Sequence, residues 1–177
     1  MINAAIVGLG RGGQTLVDAV HGKSDEIRFT RGVTRTVANA DAYAEAKGIA
    51  LGDDYAAMLA DPAIDAVVLA TPHTLHCEQI CAAAEAGKHV FVEKPPAMTV
   101  EEAKRIQRAA HETGVQIMSG WWFKHSPITK RLREVIRRPR TILFTCRIGQ
   151  IDPRTGAPHS SAPYARAGLL DVAGYSL

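Results

Sequence analysis

The sequence predicts an α/β protein with a doubly wound parallel sheet, followed by an incomplete α+β second domain. Three observations predict the sheet. An apolar strand at the N-terminus enters a glycine-rich turn, strand and helix patterns alternate as far as residue 120, and an unbroken apolar run, AVVLA, occupies residues 66–70. Such runs are typical of strands that are buried on both faces of a parallel sheet. The alternation implies strands joined by right-handed helical crossovers.

The first element is a strand at Ile2–Val7 that leads directly into Gly8, Gly10 and Gly13, which are spaced as G-x-G-x-x-G. Gly8 can adopt a tight turn, Gly10 leaves room for a pyrophosphate, and Gly13 lets the helix and strand pack closely. A helix that begins near Arg11 directs its free amide groups and positive dipole end at the phosphates. Because a strand precedes this spacing and an amphipathic helix follows it, the segment predicts a dinucleotide site, with a plain strand-turn-helix junction as the alternative.

The later elements follow in the same alternation. Further strands are predicted at Ile27–Val33 and at residues 66–70, 89–93 and 115–119, and further helices at residues 38–47, 55–60 and 76–86. Thr99 and Glu102 form a capping box for a last helix, which runs to Thr113. Glycines that follow the helices, such as Gly87, are typical of their C-terminal caps.

The pattern changes after Gly120, so the predicted domains are residues 1–120 and 121–177. A helix at 127–136 and an alternating strand at 141–148 are followed by a tail rich in Pro, Gly, Ser and Ala. A single strand does not form a sheet. This segment therefore either pairs with another chain or begins a domain of a longer protein that is truncated here.

Composition excludes several classes of function. The chain is 46% hydrophobic and 22% charged with a formal net charge of +3, which is typical of a globular protein with a core and does not favour a nucleic-acid partner. The three cysteines form no C-x-x-C, so neither a metal site nor a disulfide framework is expected. Cys77 and Cys81 lie one helical turn apart, where small apolar side chains pack. The N-terminus shows no leader and no run reaches membrane-spanning length, so a cytoplasmic location is expected.

The end of the second strand bears on the choice of cofactor. In a dinucleotide fold, an acid about 20 residues after the last glycine holds the ribose 2′-hydroxyl of NAD. Thr34 occupies this position and Arg35 follows it, with no carboxylate until Asp41. Arginine forms bidentate, charge-assisted hydrogen bonds with phosphate, so NADP is favoured and NAD is the second choice. An exposed polar turn is the alternative interpretation.

The segment Glu93-Lys94-Pro95-Pro96 closes the strand HVFVE, and Thr71-Pro72 and His76 precede it. Together with GLGRGG, LADPAIDAVVLATPHTLH, AAAEAGKHVFVEKPPAMTVEEA and HETGVQIMSGWW, it resembles the Gfo/Idh/MocA family of nicotinamide-dependent sugar and polyol oxidoreductases. The resemblance covers nearly all of residues 1–150. It implies an N-terminal Rossmann domain, followed by an open antiparallel sheet that supplies substrate and subunit contacts.

The resemblance also implies catalytic residues. Lys94 would lie near the nicotinamide, where its ammonium can hydrogen-bond a substrate oxygen and stabilise developing charge; a surface lysine is the alternative. Asp171 and Tyr175 match the family motif D-x-x-x-H, with tyrosine where histidine is usual, and a phenol can donate a proton to a carbonyl oxygen. The alternative is that this segment has no catalytic role.

The expected cofactor-binding residues follow from the glycine loop, the end of the second strand and the resemblance. His73 would lie near the nicotinamide, where the family often has asparagine, unless it is an ordinary surface histidine. His76 follows the family pattern, although it can equally pack at the start of its helix. The full set is Gly8, Gly10, Arg11, Gly13, Thr34, Arg35, Thr71, Pro72, His73, His76, Glu93 and Lys94.

The function favoured by these patterns is an NADP-dependent oxidoreductase that transfers a hydride between nicotinamide and an alcohol or carbonyl of a sugar or cyclic polyol. A complete second domain would allow a homo-oligomer. The alternative is a cofactor-binding module without turnover, or a fragment of a family enzyme, because most of the substrate-binding sheet would be missing. A substrate pocket open on one side cannot exclude water.

Overall fold

The computed structural model describes residues 1–121, 125–127, 130–131 and 134. The chain divides into two units, Met1–Gly120 and Trp121–Leu177. The strands of the first unit are β1 (Ile2–Val7), β2 (Ile27–Val33), β3 (Ala50–Gly52), β4 (Ala66–Leu69), β5 (His89–Val92) and β6 (Ile117–Ser119). Its α-helices are α1 (Arg11–Val20), α2 (Asp41–Lys47), α3 (Tyr55–Leu59), α4 (His76–Glu85) and α5 (Val100–Thr113).

The six strands form one parallel sheet in the order β3-β2-β1-β4-β5-β6. The strand order reverses between β1 and β4, so the loops that follow these two strands diverge at the carboxyl edge of the sheet. In open α/β sheets this crevice is where ligands bind. The predicted doubly wound parallel sheet is therefore confirmed.

Each face of the sheet carries its own hydrophobic core. On one face, Ile6 and Phe29 pack with Val17 of α1 and with Ala44 of α2. On the other face, the buried strand residues pack with α4 and α5, and the cluster includes Val67, Leu69, Val92, Ile80 and Ile106. Cys77 and Cys81 are buried in this second core as free thiols, as predicted from their spacing.

Several predicted bounds differ from the observed ones by one or two residues, as in the last strand, which was predicted from residue 115 and begins at Ile117. There are also three larger differences. The strand β3 was not predicted, and it pairs in parallel with the end of β2, from Arg31 opposite Ala50. The predicted helix at 38–47 is divided into a 3-10 turn, Val37–Asn39, and α2. The run in β4 is fully buried on one face only, because Val68 remains half-buried on the other.

Helix caps follow the sequence closely. The Thr99 hydroxyl oxygen accepts a hydrogen bond from the Glu102 amide at 3.1 Å, which starts α5 as the capping box predicts. The Glu102 carboxylate accepts from the amide of Met98 at 2.6 Å, one residue before the cap. Gly114 ends α5 with a φ of 73°, a left-handed conformation that favours glycine.

In the second unit, the described residues lie at helical spacing. The Lys130 amide donates to the carbonyl of Ser126 at 3.0 Å, and Arg131 pairs with Glu134 at 2.7 Å. Most residues of the helix predicted at 127–136 and all of the strand predicted at 141–148 lie outside the described residues. Within the described part of the chain, no helix is long and apolar enough to cross a membrane.

Candidate functional site

The turn after β1 depends on glycine at two of the three glycine positions of G-x-G-x-x-G. Gly8 has a φ of +92°, and an added Cβ would lie 2.7 Å from the carbonyl oxygen of Ala70. At Gly13, an added Cβ would lie 1.9 Å from the carbonyl oxygen of Gly8. Both glycines are therefore required by the protein's own packing, since real Cβ atoms do not approach backbone oxygens so closely.

Gly10 differs from these two glycines. Its φ is −71°, which other residues adopt readily, and an added Cβ would meet no atom within 4 Å. The protein's packing therefore does not require glycine here. The open space beside Gly10 is the cradle that a pyrophosphate needs for close approach to the backbone.

The N-terminus of α1 lies directly after this cradle. No side chain caps the helix, and its first turn contains no acidic residue. The first amides of a helix lack intrahelical acceptors, and the helix dipole favours negative charge at this end. Arg11, the first helical residue, is exposed and adds a positive charge. The residues of the loop thus fit the pyrophosphate of a dinucleotide.

The end of β2 lies beside the glycine loop, because the amide of Gly8 donates to the carbonyl of Val33 at 2.8 Å. Thr34 follows and donates its amide to Gly52 at 3.0 Å. Arg35 is exposed and makes no hydrogen bond or ion pair with the residues that the structure describes. Its guanidinium is thus free to bind an anion at this edge.

Tertiary structure adds a carboxylate that the sequence argument did not include. Asp53 directly follows Gly52, the residue bonded to Thr34, and its side chain is exposed. The next residue, Asp54, is occupied as the cap of α3 and accepts from the amide of Ala57 at 2.9 Å. The charge balance at the end of β2 therefore includes Asp53 as well as Arg35.

The loop after β4 is held by α4. The Thr71 hydroxyl donates to the side-chain oxygen of Gln79 at 2.5 Å. The imidazole of His76 is fully buried, with Nε2 2.9 Å from the carbonyl oxygen of Thr71 and Nδ1 2.8 Å from that of Pro95. His73 is half-buried, and its ring lies edge-on to the His76 ring with the centroids 5.6 Å apart. Pro72 between them is exposed.

The loop after β5 carries Glu93 and Lys94, which are both half-buried. The Glu93 amide donates to the carbonyl of Leu69 at 2.9 Å, and the Glu93 carboxylate accepts from the amide of Lys94 at 3.3 Å. The Lys94–Pro95 peptide bond is cis. Lys94 therefore leaves the sheet at its carboxyl edge, next to the end of β4.

The described site residues come from four loops that follow β1, β2, β4 and β5, and all four loops leave the same edge of the sheet. Asp171 and Tyr175 lie outside the described residues. Gln79 was not singled out from the sequence, although its position three residues after His76 places the two side chains on one face of α4. Within the described ranges, no group of three His, Cys, Asp or Glu side chains could hold a metal ion.

Curated relatives with sequence similarity include sugar and inositol dehydrogenases. The chain is 31% identical over 128 residues to D-xylose 1-dehydrogenase (NADP(+)) 2 of Haloferax volcanii, which covers 72% of this chain and 39% of that protein. It is 43% identical over 70 residues to scyllo-inositol 2-dehydrogenase (NAD(+)) of Bacillus subtilis, which covers 40% of this chain and 20% of that protein. The two relatives thus differ in the cofactor that they use.

A solved structure with the same fold is scyllo-inositol dehydrogenase from Lactobacillus casei with bound NAD(H) and scyllo-inositol. It superposes with a TM-score of 0.70 at 26% identity, over 76% of this chain and 41% of that chain. The match therefore covers about two fifths of the length of the Haloferax and Lactobacillus proteins and one fifth of the Bacillus protein.

The family comparison covers the whole sheet. Residues 2–121 match the model of the Gfo/Idh/MocA oxidoreductase family, whose fold is described as an NAD-binding Rossmann fold. The matched region contains the glycine loop, the end of β2 and the loops after β4 and β5. The chain therefore belongs to the Gfo/Idh/MocA family of oxidoreductases.

Proposed function

We propose that this chain is the cofactor-binding part of an NADP-dependent oxidoreductase that acts on a sugar or cyclic polyol. The reaction would interconvert an alcohol and a carbonyl, with the bound nicotinamide cofactor accepting or supplying the hydride. The observation that carries the proposal is the open cradle at Gly10 in front of the uncapped α1, at the edge of the sheet where Lys94 also lies.

Binding of the pyrophosphate rests on Gly8, Gly10 and Gly13 together. Gly8 and Gly13 hold the turn close to α1, and Gly10 leaves the backbone accessible. The free amides of α1 donate to the phosphate oxygens, and the positive end of the helix dipole stabilises their charge. Arg11 contributes a further positive charge at the helix start.

The preference for NADP is supported by Arg35, an exposed cation with no partner among the described residues. A guanidinium can bind a 2′-phosphate with two parallel hydrogen bonds, and the hydroxyl of Thr34 adds a possible donor. Asp53 at the end of the neighbouring β3 acts against this preference, because its carboxylate repels a phosphate. We infer that Arg35 outweighs Asp53, since Arg35 directly follows the β2 position that faces the adenosine ribose in this fold.

Lys94 is the proposed catalytic residue of the described region. Its ammonium donates a hydrogen bond to the reacting substrate oxygen and stabilises the negative charge that develops there. The half-buried environment and the flanking Pro95 restrict where this side chain can go. Asp171 would orient the proton relay and Tyr175 would carry the proton, as the resemblance implies.

The substrate class is proposed from the relatives. Their names specify D-xylose and scyllo-inositol, which are both small polyhydroxylated compounds, the first a pentose and the second a carbocyclic polyol. We propose a small sugar or cyclic polyol as the substrate, with homo-oligomers formed through the second domain. A cytoplasmic location, with neither nucleic acid nor membrane as a partner, stays a prediction of the sequence.

A second candidate function is a cofactor-binding module without turnover. The chain covers 39% of the length of the xylose dehydrogenase. Substrate specificity and exclusion of water need a pocket closed on all sides. A module of this kind would bind NADP(H) and leave the substrate unchanged.

The experiment is a titration of the purified chain with NADPH and separately with NADH, followed by tryptophan fluorescence and calorimetry. The proposed function requires saturable binding that is tighter for NADPH. Absence of binding to either cofactor by a folded sample would refute it. Equal binding of both would refute the NADP preference alone.

Turnover distinguishes the two candidate functions. The enzyme is expected to oxidise NADPH with a keto derivative of a pentose or inositol, and Lys94→Ala should abolish this activity while cofactor binding remains. Lys104→Ala, which changes an exposed lysine on α5, is the matched control and should retain full activity. Binding without any turnover over a panel of keto sugars would favour the module.

A further inference from the structure

The buried histidine at the start of α4 connects two loops of the site. His76 has no exposed surface, and its two ring nitrogens lie 2.8 Å from the carbonyl oxygen of Pro95 and 2.9 Å from that of Thr71. Both oxygens belong to the backbone just beyond the ends of β4 and β5. One side chain on a third element, α4, therefore spans the gap between the two strand ends.

These carbonyl oxygens need a donor because the sheet ends before them. The last bond between β4 and β5 runs from the Glu93 amide to Leu69 at 2.9 Å. Beyond this bond, the segment after β4 contains Pro72 and the segment after β5 contains Pro95 and Pro96. Proline has no N–H with which to continue a strand ladder. Buried carbonyl groups are almost always hydrogen-bonded, and here the imidazole supplies the N–H.

The ring makes one or both of these hydrogen bonds, depending on how many of its nitrogens carry a proton. A neutral imidazole carries one N–H and donates to one of the two carbonyl oxygens, while a doubly protonated ring donates to both. Thr71, one of the two partners of the ring, is itself held to α4, because its hydroxyl donates to the side-chain oxygen of Gln79 at 2.5 Å. The edge of His73 packs against the ring from the side.

We propose that His76 is a positioning residue for Lys94. Pro95 directly follows Lys94, so fixing the Pro95 carbonyl fixes the backbone from which the Lys94 side chain extends. The same ring bonds Thr71, and the distance between the loops after β4 and β5 is thereby set by one side chain. The role in hydride transfer rests on the proposed function, whereas the mechanical coupling of the two loops does not.

Three variants of the full chain separate hydrogen bonding from packing. His76→Phe fills the buried space but has no donor. His76→Asn places an amide N–H near the position of Nδ1, which faces Pro95, and His76→Gln places one near the position of Nε2, which faces Thr71. If His76 acts by hydrogen bonding, the His76→Asn variant should keep the backbone at Lys94 closer to its wild-type order than His76→Phe does. If it acts by packing alone, His76→Phe should keep the backbone at Lys94 at least as ordered as His76→Asn does.

Amide hydrogen exchange of the cofactor-free chain is the first readout. We expect His76→Phe to accelerate exchange of the amides of Lys94 and Ala97, with the amides of β1 and β2 unchanged, and His76→Asn to restore slow exchange at Lys94. Unchanged exchange at Lys94 in His76→Phe would overturn the proposal. Acceleration spread evenly over the whole sheet would also overturn it, because it would show a general structural role.

Binding is the second readout. NADPH carries the nicotinamide, while 2′,5′-ADP carries only the adenosine end with its 2′-phosphate. His76→Phe should weaken the binding of NADPH by about two- to tenfold, as expected for a lost hydrogen bond, and leave the binding of 2′,5′-ADP unchanged. Equal weakening of both ligands would contradict a local role. If the wild-type chain binds neither ligand, the proposed function fails, while the exchange measurement still decides the role of His76.

Discussion

The carbonyl oxygen of Gly8 occupies the space that a side chain on Gly13 would need. A Cβ placed on Gly13 would lie 1.9 Å from this oxygen and 3.6 Å from the Cβ of Ala70. The turn after β1 and the first turn of α1 are therefore in direct backbone contact. This contact sets how far the N-terminal amides of α1 lie from the end of β1, and with it the depth of the cradle beside Gly10.

Gly13→Ala should destabilise the protein by about 1–3 kcal/mol or more, because backbone has to move to remove the overlap. The free energy of unfolding from urea denaturation measures the effect. Gly12→Ala is the matched control, since a Cβ at Gly12 would meet no atom within 4 Å. Alanine is the better helix former, so the control should gain up to about 1 kcal/mol. Equal effects of the two substitutions would contradict the overlap.

Gly10→Val should abolish binding of NADPH and NADH while leaving the free energy of unfolding nearly unchanged. The added Cβ would enter the open space beside Gly10, where it would meet no other atom of the protein within 4 Å. Calorimetric titration measures the binding, and Ala19→Val on the exposed surface of α1 is the control. Retained cofactor binding by Gly10→Val would show that the glycine loop is only a turn.

Arg35→Ala should weaken the binding of NADPH by about tenfold or more, because a charge-assisted hydrogen bond contributes roughly 1.5–3 kcal/mol. The binding of NADH should be nearly unchanged. The dissociation constants of both cofactors are compared by fluorescence titration. Arg28→Ala is the control, since Arg28 lies at the opposite end of β2 and bonds Asn3 at 2.8 Å. An equal loss for both cofactors would remove the argument for phosphate recognition.

Tyr43→Phe should change how the free energy of unfolding depends on pH above about pH 10. The Tyr43 hydroxyl donates its one proton to Asp18 at 2.9 Å, and the carbonyl oxygen of Gln14 lies 3.1 Å from the same hydroxyl oxygen. Burial first, and then the hydrogen bond to Asp18, raise the pKa of Tyr43 to about 12. Its contribution to stability is thus fully present below the ordinary tyrosine pKa of about 10 and is lost as the pH rises towards 12.

The measurement is the free energy of unfolding of the wild type and of Tyr43→Phe from pH 7 to 12. The variant should be less stable at pH 7 by about 0.5–1.5 kcal/mol, the contribution of a typical hydrogen bond. The difference should shrink above pH 10. Tyr55→Phe serves as a second comparison, because burial also raises the pKa of Tyr55. A constant difference over the whole range would be inconsistent with the shifted pKa of Tyr43.

Much of the fold was predictable because its signals are local. Ile2–Val7 and Ile27–Val33 form strands with the predicted bounds, and the first of them ends where Gly8 begins the turn. β3 was not predicted, because Ala50–Gly52 is only three residues long and shows no periodic pattern. It is a strand because the open edge of β2 offers it hydrogen-bonding partners.

The candidate site was predicted unevenly for the same reason. The glycine loop could be assigned from spacing, because the steric demands of Gly8 and Gly13 act over a few residues. The contact between His76 and Pro95 spans 19 residues of sequence and crosses between two elements. The exposed Asp53 near the end of β2 likewise depends on the pairing of β3 with β2.

The sequence by itself determined the alternation of strands and helices, the glycine turn and the capped start of α5, because each depends on steric and hydrogen-bonding preferences within one or two turns of chain. Only the tertiary structure decided which buried polar groups meet. Lys88 is 8% exposed, and its ammonium donates to the carbonyl oxygens of Asp61 at 2.9 Å and Ile64 at 2.7 Å. Such partners are chosen by how distant segments pack, since a buried donor must find its acceptor wherever the fold brings one within reach.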